Sequence, residues 1–168
     1  MIYAYDKLYL SVAQKNLACM LDYMVNNLKY PLETAWQWFC MSNTASRFER
    51  GDCSIVAGRS GVEIAYEVLR ETGKPHPKQT PSYSYNRSPE YWIGWALAYY
   101  QWSTSLSFAE INQAIPVTEV RMDAISGSKG FISCLGRWTI VTSMPSSLKF
   151  SASSRPIKPP PANTADFG

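Results

Sequence analysis

The chain has 168 residues, 46% of them hydrophobic and 17% charged, enough for one domain with a real core and too few for two. Sixteen Lys and Arg against 13 Asp and Glu give +3, far from a dense basic nucleic-acid coat, and 14% aromatic residues exclude the composition of a disordered chain. No apolar run approaches the ~20 residues of a membrane span, and Asp6 and Lys7 stand where a signal peptide needs an apolar stretch, so the expectation is a cytoplasmic protein without a membrane partner.

Leu10, Leu17, Leu21, Met24 and Leu28 recur at helical period and predict one helix over about 8–28. Pro31 stops it and opens a short second helix, in which Leu32, Trp36, Phe39 and Cys40 share a face and Glu33 sits in the first turn. Ser42, Asn43 and Thr44 read as a break before a further turn through Phe48, which Gly51 ends. Ser60-Gly61-Val62-Glu63 has the capping-box spacing, so a helix over 62–72 is expected. Val62, Ala65, Tyr66 and Leu69 form its buried stripe, Glu63, Glu67, Arg70 and Glu71 its wet face, and Gly73 its stop. Residues 73–87, with Pro75, Pro77 and Pro81, read as a surface loop.

Ser88-Pro89-Glu90 combines an N-cap, a first-turn proline and an acid, and the 91–102 stretch after it holds six aromatic residues. Trp92, Trp95, Tyr99 and Trp102 fall on one stripe of this helix, whose period is what core packing demands, and Ile93, Leu97 and Tyr100 make its other side apolar as well, so more than one neighbour is expected to cover it. A second capping box, Ser107-Phe108-Ala109-Glu110, begins a short helix that Pro116 ends. Residues 1–123 carry 12 acidic and 11 basic residues, whereas 124–168 carry Asp166 alone against Lys129, Arg137, Lys149, Arg155 and Lys158. This basic, Ser/Pro-rich tail has room for a short hairpin within 131–144 and reads as disordered beyond it. The fold expected is therefore all-α, with five to six helices around the aromatic-rich helix and an irregular tail, divided as 1–123 and 124–168.

Catalytic and metal chemistry find little support. His76 is the only histidine and lies in the basic proline loop, and Cys19, Cys40, Cys53 and Cys134 are widely spaced, as buried free thiols are. No catalytic residue, cofactor or metal is assigned. The candidate contacts for a ligand or partner are Arg59, Glu63, Trp92, Trp95 and Tyr99. Arg59 lies within, and Glu63 just after, a Gly58-Arg59-Ser60-Gly61 turn ahead of a helix, where free amides hold a phosphate, although a tight turn into a capped helix explains the same residues. The aromatic stripe could line a pocket for a flat ligand, but it has no interleaved Lys or Arg. Residues 107–122 faintly suggest a helix-turn-helix, and with the basic tail they give an alternative, direct DNA binding, which Pro116, Glu119 and Asp123 suit badly. A small-ligand enzyme around the 58–63 turn is the other alternative.

Two stretches carry a resemblance. Phe48-Glu49-Arg50-Gly51-Asp52, with Ala57-Gly58-Arg59-Ser60-Gly61-Val62-Glu63, is one; Ser88-Pro89-Glu90-Tyr91-Trp92-Ile93-Gly94-Trp95-Ala96-Leu97-Ala98-Tyr99-Tyr100-Gln101-Trp102 is the other. Together they resemble the amino-terminal helical domain of little-characterised bacterial proteins in which an Xre-type helix-turn-helix follows. The resemblance covers about 10–122 and implies a regulator-like or antitoxin-like context without a catalytic residue. After Asp123 the chain departs from that pattern, as a frameshifted or truncated gene would, and the helix-turn-helix is missing. The function expected is a non-catalytic protein-interaction or sensing domain of a transcriptional regulator or antitoxin-like protein, with a protein partner rather than DNA for this chain alone.

Overall fold

Helix α1 (Leu10–Asp22) has Ala13, Leu17, Ala18, Met20 and Leu21 sealed from solvent, a broad apolar surface that suits a helix covered from more than one side. The computed structural model describes residues 3–75, 77, 79–81, 87–118 and 120. Among these the protein is all-helical, with seven α-helices and no strand. The count exceeds five or six because the segment after Ser42 divides into two short pieces, α3 (Asn43–Glu49) and the four-residue α4 (Cys53–Val56). Each piece has its own N-cap: Ser42 Oγ accepts from the Ala45 amide, and the Asp52 carboxylate accepts from that of Ser54.

The first helix keeps α geometry only to Asp22; a wider turn, Tyr23–Asn27, prolongs it, and Lys29 then takes a left-handed φ of 62°. Pro31 caps α2 (Leu32–Met41), whose Trp36 and Phe39 pack edge-on against Phe108 at centroid distances of 5.5 and 5.0 Å. Phe48 of α3 joins the same cluster, 5.8 Å from Phe108. Helix α7 (Phe108–Ala114) is thereby pinned to α2 and α3, and the Glu49 carboxylate accepts from the Phe108 amide at 2.6 Å.

Helices α5 (Gly61–Glu71) and α6 (Pro89–Thr104) meet α1 on opposite sides. A Cβ on Gly61 would lie 2.5 Å from the Asn16 carbonyl oxygen and from Cys19 Cβ; one on Gly94 would lie 2.7 Å from the Leu17 carbonyl oxygen and 2.8 Å from Ala18 Cα. At 100° per residue, positions 16 and 19 point away from 17 and 18. α6 runs antiparallel to α1: Trp102 bonds to Tyr5, Trp95 to Gln14, and Ser88 to Asp22. No helix among the described residues is long and apolar enough to cross a membrane. His76, Cys134, most of the second half of the suggested helix-turn-helix, and the entire 124–168 tail with its hairpin lie outside the described residues.

Candidate functional site

The two groups of candidate contacts occupy different places. Arg59 and Glu63 belong to the entry of α5, where Ser60 and Glu63 form the expected capping box: the Ser60 amide donates to the Glu63 carboxylate at 2.7 Å, and the Glu63 amide donates to Ser60 Oγ at 3.3 Å. The backbone and side-chain donors of Ser60 hold the Glu63 carboxyl below the usual carboxylate range. Two of the amides that would greet a phosphate are thus occupied, and a carboxylate stands at the entrance.

Arg59 turns inward and pairs with Glu67. Glu67 departs from the wet face expected for it: only 7% of it is exposed, and Arg47 at 3.8 Å and Arg70 at 3.5 Å join Arg59 around it. Three guanidinium groups compensate one buried carboxylate, which supplies the charge partners that burial demands. Arg47 also holds Asp52 at 2.9 Å and Ser54 Oγ at 2.8 Å. The Asn16 side chain donates to the carbonyl oxygens of Val56 and Arg59 at 3.0 and 2.8 Å, fastening the whole turn to α1. No local pattern in the sequence marked Glu67.

Trp92, Trp95 and Tyr99 lie on α6, and here the core reading of the stripe is corrected. The buried side of α6 is Ile93, Gly94, Ala96, Leu97 and Ala98, whereas Trp92 is 38% exposed and Trp95 and Tyr99 are half-buried. Only Trp102 of the stripe is buried. Close approach of α1 explains the choice: backbones in contact at Gly94, with small, buried Ala98 four residues on, drive the large rings outward. That small-residue spacing was present in the sequence and outranked by the more conspicuous aromatic period.

The displaced rings form a row. Trp92 and Trp95 are 6.3 Å apart between centroids, Trp95 and Tyr99 6.5 Å with planes within 7°, and Tyr99 and Trp102 5.8 Å. Tyr3, which the sequence did not bring to notice, stacks on Trp102 at 4.0 Å and is itself 44% exposed. Tyr9 and Val12, 38% and 39% exposed, lie on the stretch of chain between the points where Tyr5 meets Trp102 and Gln14 meets Trp95. Since α1 separates α5 from α6, the structure does not bring Arg59 and Glu63 together with the aromatic row.

No family model, curated protein or solved structure matches the chain.

The thiols are less uniform than expected: Cys19 and Cys40 are half-buried, and Cys53 is exposed on α4. Burial pushes the Cys19 thiol up and that of Cys40 up to about 12, the opposite of nucleophile activation. A different chemistry appears beside α5, where tyrosine hydroxyls donate to carbonyl oxygens of the proline loop: Tyr30 to Pro75 at 2.7 Å, Tyr66 to Pro77 at 3.3 Å, and Tyr23 to Gln79 at 2.7 Å.

Proposed function

We propose that this chain is a non-catalytic protein-interaction or sensing domain of a bacterial transcriptional regulator or antitoxin-like protein, and that it meets its partner through the outer face of α6. The observation that carries this reading is the uncharged, partly exposed row of Trp92, Trp95 and Tyr99 with Tyr3 at its end. Large rings that keep apolar surface in water are typical anchors of protein interfaces. The polar candidates support it from the other direction, because Arg59 and Glu63 are engaged in an ion pair and a helix cap. The regulator or antitoxin context rests on the resemblance of 10–122.

The test is cross-linking in bacterial cells of the full chain and of two variants, Trp92→Asp and Glu63→Gln. A specific cross-linked partner that the first variant loses and the second keeps is the expected result. A turnover on a small-molecule panel that a single polar substitution at the 58–63 turn abolishes would overturn the reading in favour of an enzyme.

A further inference from the structure

We propose that the hydroxyls of Tyr23, Tyr30 and Tyr66 form a recognition site for an extended peptide with prolines at alternate positions, which Pro75, Pro77 and Gln79 of this same chain fill as a displaceable intramolecular ligand. Tyr23 prolongs α1 and Tyr66 belongs to α5, so the site stands apart from the aromatic row of α6 and does not depend on the reading of that row. The spacing begins in the sequence. Prolines at 75, 77 and 81 disfavour helical geometry in the residue ahead of each, which drives this stretch to extended backbone. In an extended chain, carbonyls two residues apart project to the same side. Those of Pro75, Pro77 and Gln79 meet the phenols in turn, accepting from Tyr30 at 2.7 Å, Tyr66 at 3.3 Å and Tyr23 at 2.7 Å. The two sides are chemical complements, because Pro75 and Pro77 offer acceptors and no backbone N–H, while the phenols facing them donate.

Tyr66 is the centre of the network. Tyr23 gives its single proton to the Gln79 carbonyl, so the 2.7 Å bond between the Tyr23 and Tyr66 hydroxyls takes its proton from Tyr66, which shares it with Pro77. The Gln79 amide donates back to Tyr66 Oη at 3.2 Å. Ahead of the prolines, Lys74 Nζ lies 5.2 Å from the centroid of the Trp38 ring, which Tyr30 meets edge-on at 5.0 Å. The ligand class is therefore a basic residue followed by prolines at alternate positions. How the occupant is held makes it displaceable: Pro75, Pro77 and Gln79 are exposed, so neutral hydrogen bonds fix them instead of apolar burial, and water competes for each bond. Tyr23 beneath them is 2% exposed and packs edge-on against Tyr66 at 5.8 Å, so the donors keep their places when the occupant leaves.

The first measurement is amide hydrogen exchange in the unaltered full chain. The Gln79 amide is expected to exchange through a local opening that denaturant does not promote, while amides inside α5 exchange only on global unfolding. Tyr66→Phe is expected to speed exchange at Gln79 roughly fivefold, the loss of one or two neutral hydrogen bonds, and to leave the α5 amides in their class. The second measurement adds a synthetic peptide of residues 73–81 to a full-chain variant carrying Pro75→Gly and Pro77→Gly, which loosens the internal occupant. Saturable shifts of the Tyr23 ring signals, lost when Tyr66→Phe is added to that variant, are the expected result. Exchange of the Gln79 amide only on global unfolding would overturn the proposal and make these residues part of the framework. Absence of saturable binding, or binding that survives Tyr66→Phe, would overturn it too. A glycine variant that no longer unfolds cooperatively would do the same, because a ligand can leave and a framework element cannot.

Discussion

At the entry to α5 the polar groups close on one another, Ser60 with Glu63 and Arg47, Arg59 and Arg70 on Glu67, while along the outer face of α6 the aromatic rings line up beside solvent. Both regions are built from residue types that sites are made of. The difference teaches that composition does not distinguish them; what matters is whether each group's partner lies within the fold. Charged groups near a buried carboxylate must be paired internally, since an uncompensated charge is prohibitively unfavourable. Rings tolerate partial exposure at modest cost.

The sharpest way to break the comparison is on the inner side of α6. Gly94→Val places carbon against the backbone of Leu17 and Ala18 and is expected to destabilise by about 3 kcal/mol or more, because two helices must separate. Trp95→Ala, one residue away on the half-exposed side, is expected to lose clearly less than the ~3–5 kcal/mol of a core aromatic. Urea unfolding of both variants checks this, and equal losses would return the row to the core.

Glu67→Ala comes next, at about 2 kcal/mol by thermal unfolding. It removes the one carboxylate shared by three arginines, below the ~3–5 kcal/mol of a fully buried pair because Arg70, at 71% side-chain exposure, can rehydrate. An unchanged melting temperature would mean that the cluster is ornamental.

The smallest expected effect is at the cap. Ser60→Ala should lose about 1 kcal/mol at neutral pH, and the loss should shrink in acid. The folded-state carboxyl of Glu63 is held below its ordinary value, so its contribution is present above the unfolded pKa of roughly 4.3 and disappears as pH falls through the lower folded value. The gap between the unfolding curves of wild type and Ser60→Ala should therefore narrow as pH falls through the lowered folded value, down to the part that the Glu63 amide's bond to Ser60 Oγ supplies; a constant gap would place the effect elsewhere.

Much of this architecture could be read from local signals. The capping boxes at Ser60 and Ser107, the proline starts at Pro31 and Pro89, and the left-handed stops at Gly51 and Gly73 all stand as expected. They are legible because caps and stops are settled by contacts within three or four residues. The candidate site was legible only in part. Trp92, Trp95 and Tyr99 were recognised as one stripe, yet their side of the helix was misjudged, since periodicity shows that residues share a face without saying which face a neighbour covers.

By itself, then, the amino-acid sequence determined the all-helical class of the described residues, the starts and stops of most of their helices, and the grouping of rings along α6. Tertiary structure alone decided that Gly94 faces α1, that Glu67 is buried among Arg47, Arg59 and Arg70, and that Tyr3 completes the aromatic row from the far end of the chain. The physical reason is the range of the interactions. Hydrogen bonds at helix ends reach one turn, whereas the choice of buried face depends on how closely two backbones approach, a property of the pair of helices that neither stretch of sequence contains.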